Sequence, residues 1–217
     1  SRSYDVDVWS FENPYSLAFI APGNNGKMLL EPANARNAVS VAAASSATQL
    51  WGSSSHGPTE EGERGIFMSA PGTQIKSAGA DGILDSNNND SRTLSGTSMS
   101  TPLAASTTAV IQELVEKGVI NFPNETEGNT PSGPLLRSLL AISTKGVNDS
   151  VPNFHQGFGM PDLSTLVSNN STSEHVWIWD SFRRDNWKEW LFARGNTVED
   201  LSSNPSSSEN MMGPFLQ

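Results

Sequence analysis

The chain contains no cysteine. That removes disulfides, thiolate metal centres and cysteine nucleophiles from consideration, but it does not identify a compartment, since many exported proteins lack disulfides. No apolar run approaches the roughly 20 residues that a membrane-spanning helix needs. Cations are scarce: 13 Lys and Arg stand against 23 Asp and Glu, giving a formal net charge of −10 and a pI near 4.6. Such a balance argues against nucleic acid and anionic membrane surfaces as partners. The first residues, Ser1-Arg2-Ser3-Tyr4-Asp5, show neither an initiator methionine nor a signal-peptide pattern, so the chain reads as starting partway through a longer protein. Its 217 residues suffice for one good domain, or one domain plus a fragment.

What the chain does have is a string near its middle around which the rest is arranged: Leu94-Ser95-Gly96-Thr97-Ser98-Met99-Ser100-Thr101-Pro102-Leu103-Ala104-Ala105. It opens as a polar turn and runs into an apolar, helix-favouring segment, which puts Ser98 at or near a helix N-terminus. There, unpaired backbone N–H groups and the helix dipole favour negative charge, the charge that acyl transfer builds on a substrate oxygen. Pro102 is expected in the first helical turn, where its missing N–H has no internal use. The plain alternative for such a run is an N-cap without chemistry. The full string, however, closely resembles the serine motif of the subtilisin-like serine proteases (subtilases), Gly-Thr-Ser-Met-Ala-x-Pro, with Ser100 for the usual Ala. The other common nucleophile elbow, Gly-x-Ser-x-Gly, is not met, because Ser100 stands where its second Gly belongs.

Read in order, residues 6–13 form the end of a helix stopped by Pro14. Leu17-Ala18-Phe19-Ile20-Ala21 is a continuous apolar run bounded by Pro22-Gly23, the pattern of a parallel strand buried on both faces. In open α/β sheets function collects in loops at the carboxyl ends of strands. The following Ala-Pro-Gly-Asn-Asn-Gly is an ordinary turn composition, and it also resembles the subtilase Ala-Ala-Gly-Asn-x-Gly segment, with Pro22 for the usual Ala. Ala38 to Ala43 reads as a second buried strand. Trp51 to Thr59 resembles the family's Phe-Ser-Ser-x-Gly-Pro loop, and His56 within it is read as a solvated loop residue rather than a catalytic base. Ile66 to Thr73 is a strand ending in Ser69-Ala70-Pro71-Gly72, similar to the family's Val-x-Ala-Pro-Gly. Asp81 to Ser91 is a polar excursion. Its Asp spacing lacks the Gly and the closing Glu of a calcium-binding loop.

The stripe Leu103, Val110, Ile111, Leu114, Val115 predicts a helix from Met99 to about Lys117, capped by Gly118. A polar insertion, 121–133, leads to a second helix over Pro134 to Ile142. Gly157-Phe158-Gly159 resembles the segment that closes the subtilase catalytic domain. Past Val167 the composition shifts. Residues 168–201 read as a linker and either the start of a C-terminal β-sandwich or an aromatic strap, and 202–217 as a disordered tail.

Residues 1–167 are therefore identified as the C-terminal part of a subtilase catalytic domain. The resemblance implies an α/β fold, a three-layer, mostly parallel sheet with helices on both faces, incomplete at its N-terminus. It implies a serine endopeptidase acting on a polypeptide substrate: Ser98 attacks the scissile carbonyl, a histidine takes its proton and an aspartate orients that histidine. The Asn24 amide and the Ser98 N–H hold the oxyanion, while Ala21, Pro22, Gly23 and Thr97 line the substrate pocket. Subtilases order their triad Asp, His, Ser, yet neither an Asp-x-Gly strand end nor a His-Gly-Thr helix start precedes Ser98. This chain alone is thus expected to be inactive and to need the N-terminal half of its own domain. The resemblance also implies export, no organic cofactor, and room for structural calcium. The rival readings are a degenerate, non-catalytic subtilase-like binding module and an unrelated α/β anion-binding domain.

Overall fold

A computed structural model describes residues 1–120, 128–167 and 178. The first helix, α1 (Arg2–Glu12), stops at Asn13, whose backbone N–H and side-chain Nδ2 both return to the Trp9 carbonyl, at 2.9 and 2.8 Å. Pro14 follows and cannot extend the helix. The chain then enters a sheet centred on β2 (Val39–Ser46), flanked by β1 (Phe19–Ile20) and β4 (Met68–Pro71), both parallel to it. A short return strand, β3 (Gln49–Leu50), pairs antiparallel with the end of β2. The register sets Phe19 opposite Val39 and Val41 to Ala44 opposite Met68 to Pro71.

The first six residues of β2 are all buried, as expected of a central parallel strand covered on both faces. Val39, Val41, Met68 and Ala70 join the main core against two helices, α2 (Thr97–Glu116) and α3 (Gly133–Ile142). Ala42 turns the other way and packs with Leu29, Ala33 and Ile66 from the segments beside the sheet. The run 17–21, expected to be buried on both faces, is only half-buried, and its strand is limited to two residues. The reason is its place: among the described residues β1 pairs only with β2, so its outer edge has no strand beside it.

Between β4 and α2 lies an exposed antiparallel hairpin, β5 (Ile75–Ala78) and β6 (Ser91–Leu94). Helix α2 packs across β1, β2 and β4 through Ala104, Thr108, Ile111 and Val115. It ends in a Schellman turn: Gly118 N–H bonds to Val115 O and Val119 N–H to Leu114 O. It begins at Thr97, so Pro102 is its sixth residue and lies in the second turn, not the first. The Ser98 carbonyl consequently has no intrahelical donor, because proline has no N–H to give it. Helix α3 is capped by Ser132, whose Oγ accepts from Leu135 N–H. It buries Leu135, Leu136, Leu139 and Leu140, each worth about 1.5–3 kcal/mol of transfer free energy.

Two short strands, β7 (Thr144–Lys145) and β8 (Met160–Pro161), close the described domain. The Gly-Phe-Gly segment before β8 runs along the start of β4: Phe158 N–H bonds to Phe67 O and Ser69 N–H to Gly159 O. A Cβ on Gly157 would lie 2.1 Å from Phe67 O, at a backbone φ of +58°, so only glycine fits there. Among the described residues no helix is long and apolar enough to cross a membrane. The linker, β-sandwich and tail expected over 168–217 lie outside the described residues except at Ile178, which is buried in the main core.

Candidate active site

The site forms where the carboxyl ends of β1 and β4 meet the N-terminus of α2. Asn24, four residues past β1, reaches the first residue of α2: its Oδ1 accepts from Thr97 N–H at 2.8 Å and from Thr97 Oγ1 at 2.9 Å. Both are donors, so the amide oxygen faces the helix and the Nδ2 group faces away. Gly96 lies against the same amide, its Cβ position 3.2 Å from Nδ2. The strand β4 contributes through Gly72, whose carbonyl accepts from Gly96 N–H at 2.7 Å. Two sequence-distant segments are thus fastened to one turn.

That turn determines which helix donors remain. An α-helix leaves its first four N–H groups without internal partners. Here Thr97 N–H is taken by Asn24, and Met99 and Ser100 N–H both point to Gly96 O, at 3.0 and 3.4 Å. The Ser98 N–H is left without an acceptor among the described residues. The Ser98 side chain is exposed and makes no hydrogen bond among them. Asn24 Nδ2, Ser98 N–H and Ser98 Oγ therefore all remain available at the positive end of a 20-residue helix. Two donors beside one hydroxyl suit the attack of that hydroxyl on a carbonyl whose oxygen becomes negative.

The residues expected along the substrate pocket divide. Ala21 is half-buried, Pro22 is buried and Gly23 is half-buried, and Gly23 O accepts from Ser55 N–H at 2.9 Å. This wall is therefore braced from behind by the 53–56 loop, with Ser55 Oγ also donating to Asn25 Oδ1 at 2.9 Å. Thr97 departs from expectation. It is 1% exposed and its hydroxyl bonds to Asn24 and Gly23, so it positions the amide rather than facing substrate. The sequence does not mark Ser55 or Gly72 as site residues. A Ser in a loop and a Gly after Pro carry no local sign of partners more than 20 residues away. Ser100, the departure from the usual Ala, is fully buried, its Oγ 3.5 Å from Gly96 O.

His56 is half-buried, its Nδ1 bonds to Gly57 O at 2.6 Å, and its ring rests on His155. No hydrogen bond ties it to Ser98 or Asn24. In the 81–91 excursion, Asp81 Oδ1 accepts from Ile83 N–H, and its carboxyl is held below the usual range, chiefly by Ser86 and then by Ile83 N–H. Among the described residues no three His, Cys, Asp or Glu side chains converge.

Residues 4–159 match the model of the Subtilase family. Among curated relatives, the serine protease/ABC transporter B family protein tagD of Dictyostelium discoideum is 28% identical over 200 residues, covering 74% of this chain and 11% of that protein. The corresponding tagB protein of the same organism is 26% identical over 171 residues, covering 74% and 8%. Among solved structures, the prenylagaramide maturation protease PagA superposes with a TM-score of 0.58 at 21% identity, covering 75% of this chain and 53% of that one. A lanthipeptide protease gives 0.59 at 17% identity, with the same coverages. The self-cleaved protease domain of PatA gives 0.56 at 25% identity, covering 75% and 52%. This chain thus spans about half of the solved proteases and about a tenth of the curated relatives. A family match from Tyr4 to Gly159, and a fold shared with protease domains, place the chain in the subtilase family.

Proposed function

We propose that the protein containing this chain is a serine endopeptidase in which Ser98 is the nucleophile. Ser98 Oγ attacks the scissile carbonyl carbon while a histidine takes its proton. The new oxyanion lies between Asn24 Nδ2 and Ser98 N–H. Collapse expels the amine, which takes the proton back from the histidine, and water then releases the acyl group by the reverse roles. The observation that carries this reading is the pair of hydrogen bonds from Thr97 to Asn24 Oδ1, which leaves Nδ2 and the Ser98 N–H without acceptors among the described residues.

The histidine and aspartate come from the part of the domain upstream of this chain, and the whole protein is exported and acts on polypeptides rather than nucleic acid or membranes. The test is peptide hydrolysis by the whole protein, by its Ser98→Ala variant, and by residues 1–217 alone. Turnover is expected only from the first. Equal turnover by the alanine variant removes Ser98 as nucleophile, and hydrolysis by the isolated chain removes the need for an upstream half.

A further inference from the structure

His56 and His155 lie 99 positions apart in sequence, yet their ring centroids are 4.6 Å apart with planes inclined at 46°. The backbone holds them there. Gly57 N–H bonds to Phe154 O at 2.8 Å, joining the residues next to each histidine. His56 is fixed on its other side by pairing with Lys27 and Leu29, and His155 N–H is held by Asn153 Oδ1. The His56 tautomer is fixed as well. Its Nδ1 faces the Gly57 carbonyl at 2.6 Å; a carbonyl can only accept, so in the neutral ring it is Nδ1 that carries the proton and Nε2 that offers the lone pair. A backbone carbonyl on the far nitrogen is the usual support of a metal-bound imidazole. The second ring, His155, is exposed.

We infer that His56 and His155 form a two-imidazole site for a borderline divalent cation, Zn(II), Ni(II) or Cu(II). With metal–nitrogen bonds of about 2.0–2.1 Å, two rings sharing one ion at angles of about 90–110° bring their centroids to about 4.5–5 Å, and the pair is already at that distance. Neutral nitrogen donors select these ions over calcium and magnesium, which prefer oxygen. The rest of the coordination sphere is water, and the net charge of −10 favours cation uptake. The bound ion cross-links the 53–58 and 153–157 loops. The first of these braces Gly23 and Asn25 beside Asn24, so the site stiffens the backbone behind the proposed oxyanion pocket without entering the chemistry.

The experiment is titration of the tag-free whole protein with Zn(II), Ni(II) and Cu(II), with Ca(II) as the control, followed by calorimetry and thermal melting. One saturable site is expected for the first three, with a metal-dependent rise in melting temperature. His56→Ala and His155→Ala should each weaken binding at least tenfold, and His175→Ala should leave it unchanged. Unaltered affinity in either of the first two variants overturns the proposal. Because His155 is exposed and His155→Ala does not disturb the core, Cu(II) electron paramagnetic resonance provides a second reading. Coupling to two imidazole nitrogens is expected in the wild type and to one in His155→Ala; one-nitrogen coupling in the wild type also overturns the proposal.

Discussion

Thr97 holds Asn24 by two hydrogen bonds to one oxygen, from its backbone N–H at 2.8 Å and its hydroxyl at 2.9 Å. A flipped amide would set the Nδ2 hydrogens against two donors, so both bonds fix which end of Asn24 meets Thr97. The Nδ2 group is left without an acceptor among the described residues.

The Asn24→Asp variant of the whole protein tests this directly. The introduced carboxylate can still accept from Thr97, so the loop keeps its place, but the donor is gone and a negative charge faces the developing oxyanion. The expected loss in kcat is about 10²–10³-fold or more, with KM within a few-fold. A variant whose kcat stays within tenfold of the parent would show that this amide is not an oxyanion donor.

Thr97→Val keeps the shape of the buried side chain and removes one of the two anchors. A typical net hydrogen bond is worth about 0.5–1.5 kcal/mol, so kcat should fall about 2–13-fold while KM moves little. Thr97→Ser, which restores the hydroxyl, should recover most of the rate. Steady-state kinetics on the three forms decides between a positioning role and a packing role.

Gly72 is where β4 passes beneath the serine turn. A Cβ there would lie 2.2 Å from Ser100 Oγ and 2.6 Å from Ala43 Cβ. Gly72→Ala should destabilise the domain by about 1–3 kcal/mol through overpacking, seen as a lowered denaturation midpoint. Adding Ser100→Ala relieves the first contact but not the second, so recovery should be partial. Full recovery would mean that Ala43 moves aside freely.

Asp162 carries a pH signature. Its carboxyl is held at about 2, down from 3.8, first by the Lys145 ammonium and then by the Ser164 hydroxyl and N–H. A lowered folded-state value contributes stability in full above the unfolded value and loses it as pH falls through the folded one. Stability should therefore decline between about pH 4 and about pH 2, and Asp162→Asn should flatten that part of the curve. Thermal melts of both forms across the acid range provide the measurement. An unchanged acid limb would place the pH sensitivity elsewhere.

The helix at Ser98 and its end at Gly118 are legible in the sequence, because each depends on neighbours within a turn or two; its expected apolar stripe holds only in part, since Ile111 and Val115 are buried with Ala104 and Thr108 while Leu103 and Val110 are exposed. The loop at Asn24 is legible only beside the serine motif: as a string, Pro-Gly-Asn-Asn-Gly is a turn like many others. Two features escape a sequence reading because they depend on distant partners. The run 17–21 has the composition of a fully covered strand, but coverage is a property of neighbours, and among the described residues β1 has one strand beside it. Thr97 reads as a pocket residue by its place next to Ser98, yet its side chain is turned inward by an acceptor 73 positions upstream. Pro102 lies one turn later than its sequence suggests because the helix begins before Ser98, at Thr97.

That 73-residue span between Asn24 and Thr97 has a bearing on timing. Contacts between remote parts of a chain form late, once the intervening segments have found their places. On the proposed reading, the Asn24 amide and the Ser98 N–H come together only once the segments between them have folded. An unfinished fold would lack the arrangement that the proposed chemistry needs.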